Sequence, residues 1–291
     1  ADKDDDKDIV LASSSDEEES SADDGDRMAD RQQFLIGEVE AAPHDVYALG
    51  ELGAFLWDEM GDLDGAEETF RKCVASNPHD IGAMTDLAAF LCEERRELDE
   101  AEMYYRRAVE SGPSDADALC CLADFLANER SDLPGAAEEY NKAVLHNPSD
   151  TDALCDFATF LVDHVKNITA AEELLRQAVS CRPHSVDTLT SYAEFLQKSK
   201  HNYEAAGEYY RRAVESNPHD ADALCDLAAW CSEASLLDES EALLTRALQS
   251  NPKNADVMDA MATFQEKHRH DLERATEIRE LAQNIRHDNS D

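Results

Sequence analysis

The chain of 291 residues has little glycine, few aromatic residues and little positive charge, and these shortages limit what it can be. With 10 Gly and 7% aromatic residues, its composition suits helices. It carries 26 Lys and Arg against 66 Asp and Glu, a formal net charge of -40, so no nucleic-acid-binding surface is expected. No run of 18 apolar residues occurs, so we expect no insertion into a membrane.

A C-x-x-C pair is also missing, although the chain contains eight cysteines. Most of them lie within apolar helical patterns, where a free Cys behaves as a small hydrophobe. We therefore expect reduced thiols without metal or other cofactor, because zinc sites normally show short ligand spacings. Free thiols favour a reducing intracellular compartment, either the cytoplasm, the nucleus or an organelle matrix.

Residues 1–27 differ in composition from the rest of the chain. They hold 12 Asp and Glu against three cations, so we expect a disordered acidic tail. Several of its serines stand beside acidic residues and resemble the sites of acidophilic kinases, which predicts a phosphoprotein. These serines are Ser13, Ser14, Ser15, Ser20 and Ser21. A lead-in helix over 28–42 is expected to follow, with Met28, Leu35 and Val39 on its apolar side.

Proline recurs at a fixed interval through the rest of the chain. Six prolines are 35 residues apart, and one more follows after 34 residues: Pro43, Pro78, Pro113, Pro148, Pro183, Pro218 and Pro252. Such a period indicates stacked repeats that each pack on their neighbours. We therefore predict an all-α fold with seven repeats over 43–291 and a C-terminal capping helix.

Each repeat shows the pattern of two helices joined by a turn. A residue type that caps helix N-termini follows every Pro-X turn, namely Asp45, Asp80, Asp115, Asp150, Ser185, Asp220 and Asn254. Small residues recur at three positions of the repeat, represented by Ala88, Ala101 and Ala108 in repeat two. Small side chains at fixed points allow neighbouring helices to approach closely, and a large residue there would overpack the contact.

These features resemble the tetratricopeptide repeat family. Repeat two supplies its pattern as Met84, Leu87, Ala88, Leu91, Ala101, Tyr105, Ala108 and Pro113. The unit of 35 residues departs from the family's 34, and we expect the extra residue in the turn between the helices. The resemblance implies a right-handed superhelix that acts as a protein–protein interaction scaffold or adaptor.

The resemblance also implies that four positions of every first helix face the inside of the superhelix. Of these 28 positions, 12 are acidic and none is Lys or Arg. We interpret them as an acidic groove for a basic or polar segment of a protein partner. The residues expected to contact the partner are Asp86, Asp117, Cys121, Asp124, Asp152, Asp156, Glu194, Asp222, Asp226 and Asp259.

Other interpretations were weighed against this groove. Acidic residues also favour the first turns of helices, so part of the pattern could be a solvated surface. Family members that bind acidic chaperone tails use Lys, Arg and Asn in this groove, and those residue types are absent here. A permanent structural subunit and an acidic chaperone for a basic protein remain alternatives. No nucleophile–base motif or phosphate-binding loop appears, so we expect no enzyme.

Overall fold

The structure is a computed structural model that describes residues 17–288, and helices account for most of them. A lead-in helix, α1 (Glu17–Ala41), precedes seven helix pairs. The first helices of the pairs are α2 (Val46–Asp58), α4 (Ile81–Phe90), α6 (Ala116–Asn128), α8 (Thr151–Phe160), α10 (Val186–Lys198), α12 (Ala221–Glu233) and α14 (Ala255–Phe264). The second helices are α3 (Leu63–Ser76), α5 (Leu98–Ser111), α7 (Leu133–His146), α9 (Ile168–Cys181), α11 (Tyr203–Ser216), α13 (Leu237–Ser250) and α15 (Leu272–Asp288).

The lead-in helix is longer than the sequence analysis predicts. It begins at Glu17 and not at Met28, so residues 17–27 belong to α1. Acidic residues favour the first turn of a helix, which suits a start at Glu17 followed by two more Glu. Residues 1–16 lie outside the described residues, as does the cluster Ser13 to Ser15.

The array ends on its own last helix. Within the described residues no separate capping helix follows α15, which is the second helix of repeat seven. α15 has 17 residues, whereas the other second helices have 14, so it is one turn longer. Among the described residues, no helix is long and apolar enough to cross a membrane.

The predicted helix caps are confirmed in all seven first helices. The side chain at each of these positions accepts a hydrogen bond from a backbone N–H of the first turn, as Asp80 does from Ala83 at 3.0 Å. The capping residues are Asp45, Asp80, Asp115, Asp150, Ser185, Asp220 and Asn254. A cap of this type stabilises a helix by roughly 1 kcal/mol, so each first helix has a fixed start.

The small residues at the repeated positions lie at the helix contacts, as expected. Ala88, Ala101 and Ala108 are fully buried, and so are their equivalents in the other repeats. An aromatic residue near the end of each first helix fills the space beside them. These residues are Phe55, Phe90, Phe125, Phe160, Phe195, Trp230 and Phe264. The buried residues form one continuous core from α1 to α15.

The turn between the two helices explains the repeat length of 35. In repeat three the N–H of Asp132 donates to the carbonyl of Leu126, six residues back. In repeat six the N–H of Leu236 donates to Cys231, only five residues back. The extra residue is therefore taken up where the first helix ends, as predicted. Three first helices continue into a π-helical turn there, over Leu91–Arg95, Leu161–Val165 and Gln265–Arg269.

Arginines in these turns connect neighbouring repeats. Arg130 donates to Glu102 at 2.8 Å and to Asp99 at 2.5 Å, both on the second helix of the preceding repeat, and its guanidinium stacks on Phe125. Arg95 and Arg269 repeat this arrangement with equivalent partners. Each arginine is bound at two points, and its Glu partner is partly buried whereas its Asp partner is exposed. These paired contacts hold neighbouring repeats together more firmly than an isolated exposed ion pair would.

One turn position offers a direct test of the turn geometry. Lys166 is exposed and has a φ of 61°, a conformation that costs a residue with a Cβ about 1–2 kcal/mol. Because Gly also loses more chain entropy on folding, we expect Lys166→Gly to raise the free energy of unfolding by about 0.5–1 kcal/mol. Urea unfolding followed by circular dichroism measures the change. Lys166→Ala retains a Cβ and serves as the control, and an equal gain in both variants would contradict the prediction.

Candidate functional site

The first helices line the inner side of the array. Each first helix packs against the first helix of the next repeat, as α6 does against α8 and α8 against α10. The described second helices of adjacent repeats show no comparable contact with one another. Since first helices approach each other more closely than second helices do, the array curves with its first helices on the concave side. The exposed positions of these helices therefore face one another.

The structure places the predicted groove residues on this concave side, one helix after another. Nine exposed carboxylates lie there on α4 to α12, and we call them the acidic face. They are Asp86 on α4, Asp117 and Asp124 on α6, Asp152 and Asp156 on α8, Asp187 and Glu194 on α10, and Asp222 and Asp226 on α12. Cys121 is half-buried among them on α6. Whether these residues bind a partner stays a prediction.

The electrostatics of repeats three and four show that their carboxylates act on one another. The concave surroundings of Asp156 remove part of its hydration and raise its pKa to about 6, and the negative charges of Asp124, Asp152 and Asp117 add to this increase. Desolvation likewise raises the pKa of Asp124. Carboxylates from α6 and α8 therefore share one region of negative potential.

The same arrangement recurs at the other end of the acidic face. Desolvation raises the pKa of Asp226 to about 6, with further contributions from the charges of Glu194 and Asp222. In repeat two, desolvation raises the pKa of Asp86, and Asp80 adds to this effect. Partial desolvation and nearby negative charges thus disfavour the ionised forms of Asp156 and Asp226 on this concave surface.

Cations neutralise this surface at two points. Lys198 forms an ion pair with Glu194, four residues earlier on α10. At the C-terminal end, Arg286 of α15 binds Asp256 and Asp259, with both nitrogen–oxygen distances at 2.7 Å. Asp259 was predicted as a groove residue, but the structure engages it in this ion pair. Among the described residues, no Lys or Arg lies within ion-pair distance of the other eight carboxylates of the acidic face.

A buried tyrosine fixes one of these carboxylates. The hydroxyl of Tyr140, which is almost fully buried, donates a hydrogen bond to Asp124. This contact joins the second helix of repeat three to its inner surface. The sequence pattern indicates only that Tyr140 is an aromatic residue of the core, so its hydrogen bond to Asp124 was not predicted.

A small pocket opens between repeats three and four. It has a volume of about 170 Å³, and its lining includes Asp124, Asp156, Asp163 and His164. The sequence analysis missed Asp163 and His164, because it followed only four positions of each first helix. Continuing the helical spacing by one more turn from Thr159 would have reached Asp163.

The cysteines on the inner side are protonated thiols at neutral pH. Desolvation raises the pKa of Cys155 to about 11 and that of Cys225 to about 12, and nearby aspartates add to both. The thiols are therefore weak nucleophiles and weak metal ligands. In the described part of the chain, no three Cys, His, Asp or Glu side chains are grouped so that they could hold a metal ion.

The arginines and lysines late on the second helices bind groups of this chain. Lys72 pairs with Glu68 at 2.7 Å, and Arg106 pairs with Glu102 at 2.9 Å. Arg212 donates to the carbonyl of Pro183 at 3.3 Å. These contacts give the cations a structural role within the repeats.

The fold and the acidic face define a class of protein, a helical-repeat solenoid with a concave surface. Models of tetratricopeptide repeats match residues 47–80, 93–153 and 199–264, together more than half of the chain. The chain belongs to the tetratricopeptide repeat family. Repeats of this family mediate contacts between proteins, and this chain is a protein-interaction scaffold in that general sense.

Several solved structures share the fold. Yeast Tom70 superposes with a TM-score of 0.72 at 15% identity over 89% of this chain, which spans 55% of the Tom70 chain. A tetratricopeptide repeat protein from Parabacteroides merdae gives 0.56 at 19% identity, covering 82% of this chain and 93% of that one. PilF from Pseudomonas aeruginosa gives 0.51 at 18% identity, covering 76% and 97%. A search of curated protein sequences found no significant match.

The raised pKa of Asp156, caused first by desolvation and then by nearby carboxylates, predicts a pH dependence of stability. The pKa of Asp156 is about 6 in the folded chain, above its ordinary value of 3.8, so the folded state binds more protons between these pH values. The free energy of unfolding therefore falls as the pH rises through this range. Asp156→Asn should raise it at pH 7 by up to about 1 kcal/mol, since screening limits the gain, and by less at pH 4.

Urea unfolding at pH 4 and pH 7 measures this difference. Glu215→Gln removes one exposed carboxylate from a second helix and should leave stability unchanged at both pH values. A gain for Asp156→Asn that is the same at pH 4 and pH 7 would contradict the raised pKa of Asp156.

Proposed function

We propose that this chain binds a basic segment of a partner protein along its acidic face. The observation that carries the proposal is the continuity of the face over α4 to α12. Desolvation raises the pKa of Asp156 and Asp226 there, and neighbouring carboxylates add to both shifts. Eight of the nine carboxylates have no Lys or Arg within ion-pair distance among the described residues. A positively charged segment would reduce the repulsion between these carboxylates, and this electrostatic gain would favour binding.

The curvature strengthens this effect. A concave surface of one sign focuses its electric field and raises the local concentration of an oppositely charged partner. Such complementarity acts mainly on the association rate, which falls steeply as salt is added. Acidic and nucleic-acid partners are disfavoured on the same grounds, because their phosphates or carboxylates would be repelled.

The compartment and the tail belong to the same proposal. A reducing intracellular compartment, whether cytoplasm, nucleus or organelle matrix, suits a chain whose cysteines are free and mostly buried or half-buried. We further propose that the acidic N-terminal segment, with phosphorylated serines, adds long-range attraction for a basic partner. Each phosphate would contribute about -1.5 to -2 charges at neutral pH.

A charge-neutral variant of the acidic face tests the proposal. In this variant Asp86, Asp124, Asp156 and Asp226 become Asn and Glu194 becomes Gln, which preserves shape and removes five charges. Binding of a labelled oligo-arginine peptide to the full chain should weaken at least about tenfold at low salt, because each lost ion pair contributes a few tenths to about 1 kcal/mol. Stopped-flow fluorescence should show most of the loss in the association rate.

A matched control distinguishes the loss of the acidic face from a general loss of negative charge. It replaces five exposed glutamates on second helices with Gln: Glu110, Glu173, Glu204, Glu215 and Glu277. This control should bind like the parent chain. Equal losses in both variants would indicate a diffuse acidic chaperone, and binding that is insensitive to salt and to both sets of substitutions would favour a permanently packed subunit.

A further inference from the structure

Two of the seven repeats present the same pentapeptide to the acidic face. Residues 152–156 and 222–226 both read Asp-Ala-Leu-Cys-Asp, so each segment places two carboxylates at i and i+4. Side chains at this spacing are neighbours on one side of a helix, with Cβ atoms about 5–6 Å apart. In the other five repeats at least one of the two positions is not acidic. Repeats four and six therefore carry the densest pairs of charge.

Both pairs are exposed and lack a cation of their own. Asp152, Asp156 and Asp222 have no Lys or Arg within ion-pair distance among the described residues. Lys198 adds attraction near Asp226, but its ion pair is with Glu194. Each pair thus concentrates two unneutralised carboxylates on one helix turn.

Repeat seven shows how a guanidinium binds on this surface. Arg286 reaches Asp256, the equivalent of Asp152 and Asp222, through one nitrogen and Asp259 through the other, at 2.7 Å each. One guanidinium therefore bridges two carboxylates that lie on the same side of a first helix. Arg286 lies in the extra turn of α15, and its ion pairs neutralise two carboxylates at the C-terminal end of the concave side.

The spacing between repeats four and six sets the length of segment that can contact both. α8 packs against α10, and α10 packs against α12. Packed helices lie about 8–10 Å apart, so the two pairs are separated by roughly 16–20 Å. An extended chain advances about 3.3 Å per residue, which makes this distance five or six residues.

The direction of the side chains selects between these two lengths. In an extended strand only residues an even number of positions apart point to the same side. In a polyproline II segment residues three or six positions apart do so. A spacing of six satisfies both geometries and spans about 19–20 Å, which agrees with the separation of roughly 16–20 Å between the two pairs.

Resting on the proposed function, we propose that the two Asp-Ala-Leu-Cys-Asp segments are separate guanidinium subsites for one extended partner segment. That segment carries two arginines six positions apart, and each arginine binds both carboxylates of one pair. Arginine fits better than lysine, because its planar group offers two donors at a fixed separation.

Short Ser/Ala peptides that differ only in arginine spacing test this proposal. Each peptide carries two arginines, placed at i and i+6, at i and i+3, or side by side, and fluorescence anisotropy measures binding to the full chain. The i and i+6 peptide should bind about fivefold or more tightly than the other two, since only it engages the second pair, and a single ion pair contributes up to about 1 kcal/mol.

Three double variants locate the two subsites. Two of them remove one pair each: Asp152→Asn with Asp156→Asn, and Asp222→Asn with Asp226→Asn. Each should lower the affinity for the i and i+6 peptide to the affinity measured for the other two peptides. The control, Asp117→Asn with Asp187→Asn, removes the same charge from exposed positions and should preserve the spacing preference.

The outcomes distinguish this proposal from the one it rests on. Equal affinity for all three peptides, with equal losses in all three double variants, would overturn the subsites but leave an acidic face that attracts basic segments. Failure of every peptide and of oligo-arginine to bind would overturn both. The spacing preference together with its loss in only the two paired variants would support the subsites.

Discussion

Close approach of helices at three small-residue positions is the constraint on which the rest of this structure depends. Ala88, Ala101 and Ala108, with their equivalents, let each helix pack against its partner and against the next repeat. Any larger side chain would separate the helices and change the angle between repeats. Because the same contacts recur seven times, one local packing solution sets the curvature of the whole array, and curvature is what turns the first helices inward.

The curvature divides the molecule into two electrostatic surfaces. On the outer side, cations such as Arg95 and Arg130 join carboxylates of adjacent repeats and so stabilise the stacking. On the inner side, Asp156 and Asp226 face other carboxylates and destabilise it. A solenoid tolerates this repulsion because its stability is a sum over many repeat contacts. The stability of the fold therefore does not account for the inner charges.

Local chemistry in the sequence was enough to predict the repeats. Proline at a fixed period, a capping side chain after each Pro-X turn and small residues at fixed positions specify where helices begin and touch. These signals depend on residues that are close together in the sequence, so they can be recognised without the tertiary structure. The start of α1 was missed, because residues 17–27 lack the apolar periodicity that indicates a packed helix and include Ser, Asp and Gly, which have low helix propensity.

The sequence by itself therefore determined the helices, their order and the acidic character of the inner positions. Only the tertiary structure decided which of the described charges form ion pairs or hydrogen bonds, since these contacts depend on distances between residues far apart in the chain. It joined Arg286 to Asp259, gave Asp124 a hydrogen bond from Tyr140 and brought Asp163 to the inner surface. Side-chain reach and helix curvature fix these contacts, and no pattern along a single helix encodes them.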